Sequence, residues 1–409
     1  MRRSPNVILL MICFIPLCLL SPEPENAGAA EPFQLSSSTQ YLWGDDLLGE
    51  SQSIVAQYLR LSYKPEGKPF SFTGYGRIWQ DFGDGAVRSD DFSGRLYYLF
   101  MEYTPTRTIS LRLGRQFMAF TAGNAVLDGL RVDFHEIGPI GITAAAGRDV
   151  IFSLDSEHTR NGNNFFGIDV HLERIRNIQL GLSFVLRHDQ WERSRQEYGM
   201  NFRYNYKFLS PYAEVRYDWL SETFDEATFG IDLFPLSGLL FKLEFYHSYP
   251  TFDSTSIYSV FAVDKYQEYL IHGEYSFDVP VTVYASYARQ TYESSDNADR
   301  FTVGSRFYPV KNLMVNASID YRNGYGGRLW GFELTGNYRL IDKLLIAAGI
   351  QYDVYRRPED DGSNFARRYW IGGEWLINKA TSLAARIEDN VNENFEHRPL
   401  GRIALNWNL

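Results

Sequence analysis

The residues best suited to chemistry in this chain are its histidines and the acids beside them. Asp169, His171 and Glu173 alternate with Val170 and Leu172. On a β-strand, side chains two apart share a face, so these three polar groups would stand together. Such a trio could hold a cation or form part of a wetted wall. The many other charges at alternate positions favour the wall. His135, His158, His188, His247, His272 and His397 form no His-x-x-x-His or related ligand spacing. There is no Gly-x-Ser-x-Gly elbow and no phosphate-binding loop. Catalytic residues, a metal and a cofactor are therefore all expected to be absent, and the chain does not read as an enzyme.

The elements that carry these residues are strands. Ile178, Leu180, Leu182, Phe184 and Leu186 alternate with Gln179, Gly181, Ser183 and Val185, and Arg187 follows. A run of this kind has one greasy and one wetter face. Comparable runs recur from 33–43 to 400–409, among them 109–118, 127–136, 177–188, 195–207 and 381–390, with no helical segment between them. The count is about 22, within the range 20–22, which predicts an all-β, antiparallel, up-and-down transmembrane barrel without a plug domain. Short connections such as 64–69, 105–108, 138–139, 235–238, 309–312 and 378–380 alternate with longer ones at 82–91, 148–163, 249–265, 292–299, 356–365 and 391–399. Outer-membrane barrels have short periplasmic turns and longer external loops.

Composition agrees. Aromatic residues make up 16% of the 409, with 28 Tyr and 29 Phe. Tyr41 and Trp43, Tyr204 and Tyr206, Tyr217 and Trp219, and Tyr369 and Trp375 lie near strand ends. Amphipathic rings suit the headgroup level there. The net charge of −10 argues against nucleic acid as a partner. Residues 1–30 read as a signal peptide, leaving a barrel over 31–409. Arg2 and Arg3 are followed by the apolar stretch Val7 to Leu20 and the small residues Ala27-Gly28-Ala29-Ala30. Cys13 and Cys18 fall inside that segment, behind Ile12 and Leu17, so neither looks like a lipid-anchored cysteine and the mature chain is expected to hold no disulfide.

The two faces predict two solvents. Ile109, Leu111 and Leu113; Phe166, Ile168, Val170 and Leu172; Ala227, Phe229, Ile231 and Leu233; and Leu344, Ile346, Ala348, Ile350 and Tyr352 form the expected lipid-facing sets. The opposite face carries Arg112, Arg131, Asp133, Asp169, His171, Glu173, Glu214, Arg216, Asp218, Lys242, Glu244, Glu268, Glu274, Arg306, Glu333, Arg368, Glu374, Arg386 and Glu388. So many ions in a dry core would cost several kcal/mol each. A barrel of about 20 strands leaves an aqueous channel in which they cost little. The acids outnumber the bases in this set, which predicts a weak cation preference. Leu182→Arg is expected to impair assembly, and Ser183→Arg to be tolerated. Loops 148–163 and 249–265 are the candidates for narrowing the pore or covering its mouth.

Leu111-Arg112-Leu113-Gly114-Arg115-Gln116, followed by Asp128-Gly129-Leu130-Arg131-Val132, resembles a hairpin of large Gram-negative porin-like outer-membrane barrels. The final strand resembles those of outer-membrane barrels too, with Ile403, Leu405, Trp407 and Leu409 on one face, although it ends on Leu409 rather than an aromatic. The resemblance implies residence in the cell outer membrane, insertion by the outer-membrane assembly machinery, contact with outer-membrane lipid, and passive diffusion of small hydrophilic solutes or ions. Porins of this kind are often homo-oligomers. The pattern is also similar to porin-like components of porin–cytochrome electron conduits. There the barrel sheathes a periplasmic multihaem cytochrome, which is the alternative function.

Overall fold

The structure is a computed structural model and describes residues 32–45, 49–83, 92–152, 157–158, 161–249, 265–324 and 326–409. The expected signal peptide and both cysteines lie outside the described residues, as do most of the expected loops 82–91 and 249–265 and part of 148–163.

Alternating apolar residues build one strand after another. The first seven are β1 (Phe33–Asp45), β2 (Ser51–Tyr63), β3 (Phe70–Asp81), β4 (Ser93–Thr106), β5 (Ile109–Phe120), β6 (Gly123–Ile137) and β7 (Ile140–Asp149). A small separate pair, β8 (Ile151–Phe152) and β9 (Glu157–His158), follows. The series resumes with β10 (Asn164–Leu172), β11 (Ile178–Asp189), β12 (Glu192–Tyr204), β13 (Leu209–Asp218), β14 (Thr223–Leu236), β15 (Leu239–Ser248) and β16 (Tyr266–Ser276). It ends with β17 (Val281–Tyr292), β18 (Ala298–Val310), β19 (Leu313–Gly324), β20 (Gly327–Ile341), β21 (Leu344–Arg356), β22 (Asn364–Leu376), β23 (Thr381–Asn392) and β24 (Phe395–Asn408).

Apart from β8 and β9, each strand pairs antiparallel with its neighbours in the chain, and β7 pairs with β10. β1 pairs with both β2 and β24, closing a 22-stranded barrel. Closure removes every free edge, which is the condition for spanning hydrocarbon with strands. Leu35 and Leu409 exchange backbone hydrogen bonds of 3.1 and 2.8 Å at the seam. No helix and no separate plug domain occurs among the described residues.

Connections at the end bearing both termini are short throughout. At the other end the expected alternation of short with long is only partly present. Loops 82–92, 150–163, 249–265 and 357–363 are longer, but 293–297 is no longer than connections at the opposite end, and 121–122, 190–191, 219–222 and 393–394 are tight turns. The expected loop 391–399 is a correction, because strand pairing runs almost to its tip. The Asn392 side chain accepts the backbone N–H groups of Asn394 (2.8 Å) and Phe395 (3.3 Å), forming an Asx-type turn. His397 and Asp389 then pair across the two strands at 2.8 Å. At 190–191, Gln190 and Trp191 both take positive φ, as a two-residue hairpin turn requires.

Candidate functional site

Cross-strand register sorts every barrel residue to one of two faces. Leu113, Phe166, Leu182, Phe229, Val303, Ile319 and Ile371 are exposed and share one face. The other face is the concave one, because on it strands that are not neighbours touch. The expected charged set falls there. Arg112 stands opposite Arg131 and lies 3.2 Å from Glu102. Arg131 pairs with the buried Asp133 at 2.7 Å, and Thr143 donates to the same carboxylate. Arg216 reaches Asp225 (3.2 Å) and Glu226 (3.3 Å), while Asp218 accepts from Leu220 N–H and Ser221 in the next turn. Lys242 approaches Glu244, and Glu244 accepts a short hydrogen bond from Tyr212. Glu268 holds Arg300 (3.3 Å) and Gln290 (2.7 Å), Arg306 holds Asn316, and Arg386 pairs with Glu388 at 2.7 Å. Glu214, Glu274, Glu333, Arg368 and Glu374 stand opposite Asn201, Tyr284, Ser318, Gln351 and Ala384 on the same face. These groups are spread round the circumference and do not converge on one reacting centre.

Asp169, His171 and Glu173 do meet, at the short-turn end. His171 Nδ1 lies 2.6 Å from Asp169, and its Nε2 lies 3.4 Å from Glu173. Glu173 sits just past β10, and His135 from β6 joins it at 3.0 Å. Its other oxygen accepts the Glu136 backbone N–H at 2.6 Å. Burial pushes the Glu173 carboxyl up, but the Glu136 N–H and the two rings outweigh this and hold it below the ordinary glutamate value. Among the described residues no three acid or histidine groups are arranged to hold a metal ion.

The narrowing element is a hairpin that the sequence does not reveal. β4 pairs with β5 only up to Leu99 and Arg115, and β7 pairs with β6 only from Leu127. Beyond those points the β5–β6 tip leaves the wall and turns inward. Three glycines mark the fold line, since Gly114 faces Gly129 and Gly129 faces Gly147. Gly114 has φ +128°, and a Cβ on Gly129 would stand 2.2 Å from the Ala146 carbonyl oxygen, so neither position admits a side chain. Arg115 clamps the bend. It grips Asp128 through two bonds of 2.8 and 2.9 Å and donates to the Leu96 carbonyl at 3.0 Å, on the part of β4 beyond its pairing with β5.

The tip lies on the inner face of β10 to β13. Ala122 N–H donates to Ser183 (2.8 Å), Asn201 to the Thr121 hydroxyl (2.6 Å), and Arg216 to the Thr121 carbonyl (3.2 Å). Phe120 stacks on Phe165, and Met118, Ala122, Ala125, Leu127, Ala145 and Val185 complete a buried apolar cluster. Burying each larger side chain contributes roughly 1.5–3 kcal/mol. The seat is cut from small residues. A Cβ on Gly199 would lie 2.2 Å from Ala122 N, and one on Gly167 would lie 2.5 Å from the Phe120 ring. Ser183, expected on an open wet wall, is instead covered by the tip. Residues 150–152 also run beside the hairpin, with Val150 N–H bonded to the Val126 carbonyl at 2.8 Å.

Sequence reasoning also missed part of the inner wall. Arg60, Arg77, Arg95 and Arg402 share the concave face, by register with Tyr75, Tyr58 and Arg386. On β3 and β4, Gly74, Gly76 and Gly94 stand at outward positions, which blurs the contrast between the two faces and hides Arg77 and Arg95, although the strands themselves are legible. Arg77 stacks over Trp79, its guanidinium carbon 4.0 Å from the ring centre.

No protein-family model and no curated protein sequence matches the chain. Solved structures do. The siderophore receptor PirA from Pseudomonas aeruginosa superposes with a TM-score of 0.60 at 9% identity, over 94% of this chain and 81% of that one. The translocation pore of the P pilus usher PapC gives 0.54 at 8% identity, over 92% and 99%. The likeness is one of fold. The outer membrane protein OpdK from Pseudomonas aeruginosa overlaps less closely, with a TM-score of 0.45 at 9% identity over 92% and 98%.

Proposed function

We propose that this chain is an outer-membrane channel through which small hydrophilic solutes or ions diffuse passively. The observation that carries the reading is the hairpin tip seated inside a 22-stranded barrel with a charged concave face. A wide closed barrel with ions on its inner face keeps water inside, and an inserted hairpin narrows that water path to a selective bore. The charged set from Arg112 to Glu388 then lines the path and sets which solutes pass. The hairpin also takes up space that an ensheathed cytochrome would need, which favours the channel over the sheath. Residues 1–30 act as the cleaved export signal, the assembly machinery inserts the barrel, and the apolar face meets lipid.

The test is single-channel recording in a planar bilayer. The purified protein should give discrete conducting steps. Gly199→Leu cannot keep Ala122 in its seat, so the tip should be displaced and the unit conductance should rise. A silent barrel that co-purifies with a haem protein would overturn the channel reading in favour of the sheath. An unchanged conductance in the variant would remove the hairpin from the pore.

A further inference from the structure

The structure assigns a binding site for a phosphorylated lipid headgroup to the outer face of β20–β22, at the end with the longer loops. Arg328 and Arg356 stand directly opposite each other in register, on the same side as the exposed Trp330, Phe332 and Tyr352. Like charges directly opposite on neighbouring strands repel. Among the described residues neither has an ion-pair partner. Arg328 Nε lies 3.5 Å from the Asn323 side chain and Arg356 Nε 3.4 Å from the Asp360 carbonyl. Arg367 joins them on the same face of β22. Its guanidinium carbon sits 4.3 Å from the Phe365 ring centre and 5.4 Å from that of Tyr352, and its Nε is buried without a hydrogen-bond partner. The acids close by are engaged elsewhere: the Asp360 carboxylate accepts the Arg357 backbone N–H (3.0 Å) and the Asn364 side chain (3.2 Å), Glu393 pairs with Arg357 at 2.5 Å, and Asp389 pairs with His397 at 2.8 Å.

Three guanidiniums at the edge of an apolar, aromatic band call for an anion that several of them can share. Arginine forks match phosphate oxygens and bind them through paired hydrogen bonds. A lipid is the source that the position favours, because the acyl chains of a bound lipid would lie on the apolar surface continuing from Trp330 and Phe332. A free anion would gain nothing from that surface. The inference rests on the membrane reading of the chain but not on the channel reading, since the site is on the outer face.

Native mass spectrometry of the detergent-purified barrel tests it. Bisphosphorylated lipid A is the probe, with the same glycolipid stripped of both phosphates and inorganic phosphate as comparisons. The wild type should retain the bisphosphorylated form at least about tenfold better than the triple variant Arg328→Gln/Arg356→Gln/Arg367→Gln, as expected for loss of charge-assisted hydrogen bonds. Arg356→Gln alone should give an intermediate loss and decides the matter if the triple variant does not insert. Equal retention by wild type and variant, or equal retention of the dephosphorylated lipid, overturns the site. Displacement by inorganic phosphate as effective as by the lipid overturns the lipid as its occupant. Single-channel conductance should be the same in wild type and variants. A wild type that binds lipid but does not conduct would defeat the channel reading and leave this one standing.

Discussion

Glu173 shows how a residue gains its properties from the turn that holds it. It lies one position past β10, where the left-handed backbone of Glu136 aims an N–H at its carboxylate and His135 and His171 flank it. Its carboxyl is therefore held below its ordinary value. A depressed acid stabilises the folded state above its unfolded pKa, and that contribution disappears as pH falls through the folded pKa. Glu173→Gln should accordingly lower the denaturant midpoint of the detergent-solubilised barrel at pH 7. The gap from wild type should close progressively as pH drops below the usual glutamate range. A gap that stays constant from pH 7 to pH 3 would mean that Glu173 works through shape and not through charge. The trio that looked most like a cation site in the sequence is thus a turn clamp, in which the Glu136 N–H and the two rings already occupy both Glu173 oxygens.

At the scale of elements, every barrel strand was legible because alternation with period two survives any arrangement of the strands. The runs 109–118 and 177–188 expected from sequence lie within β5 and β11 to within two residues. The hairpin was not legible, for a physical reason. Its register with β6 continues without a bulge from Ile109 to Phe120, so the same parity that puts Leu113 outside puts Phe117 and Ala119 on the tip's far side. Nothing in that pattern says that neighbouring strands have stopped. The glycine line was equally hidden, since Gly114, Gly129 and Gly147 become neighbours only through pairing. This alters one expectation taken from alternation alone. Leu182 is outward and exposed, and Leu182→Arg should cost about 2–4 kcal/mol if it sits near mid-depth. Ser183 is buried under the tip, so Ser183→Arg should insert normally yet expel the hairpin. Refolding into lipid vesicles under urea, followed by conductance, separates the two. Leu182→Arg fails the first measurement, and Ser183→Arg passes it and conducts more than wild type. Two variants that both insert normally with wild-type conductance would contradict the assignment of faces.

Across the whole molecule, charge is distributed unevenly round the wall. Arg386, Arg402, Arg60, Arg77 and Arg95 follow one another on the inner faces of β23, β24, β2, β3 and β4, whereas Glu214, Glu244, Glu268 and Glu274 occupy β13 to β16. In a closed ring of 22 strands those arcs lie on roughly opposite sides. Many of the ions are paired locally, as Arg386 is with Glu388, so the field comes chiefly from the remainder. Arg60 and Arg402 have no ion-pair partner among the described residues, nor do Glu214 and Glu274. A solute crossing between such walls meets cationic and anionic sides at once, so overall selectivity should be weak and easily tipped. We predict a slight cation preference from the reversal potential in a potassium chloride gradient. Arg60→Gln/Arg402→Gln should strengthen it, and Glu214→Gln/Glu274→Gln should abolish or reverse it. Both shifts should shrink as salt rises from about 0.1 M to about 1 M, because the Debye length falls from about 10 Å to about 3 Å. Mutations on either wall that leave the reversal potential untouched at low salt would mean that permeating ions never pass this face, and the channel would have to lie elsewhere.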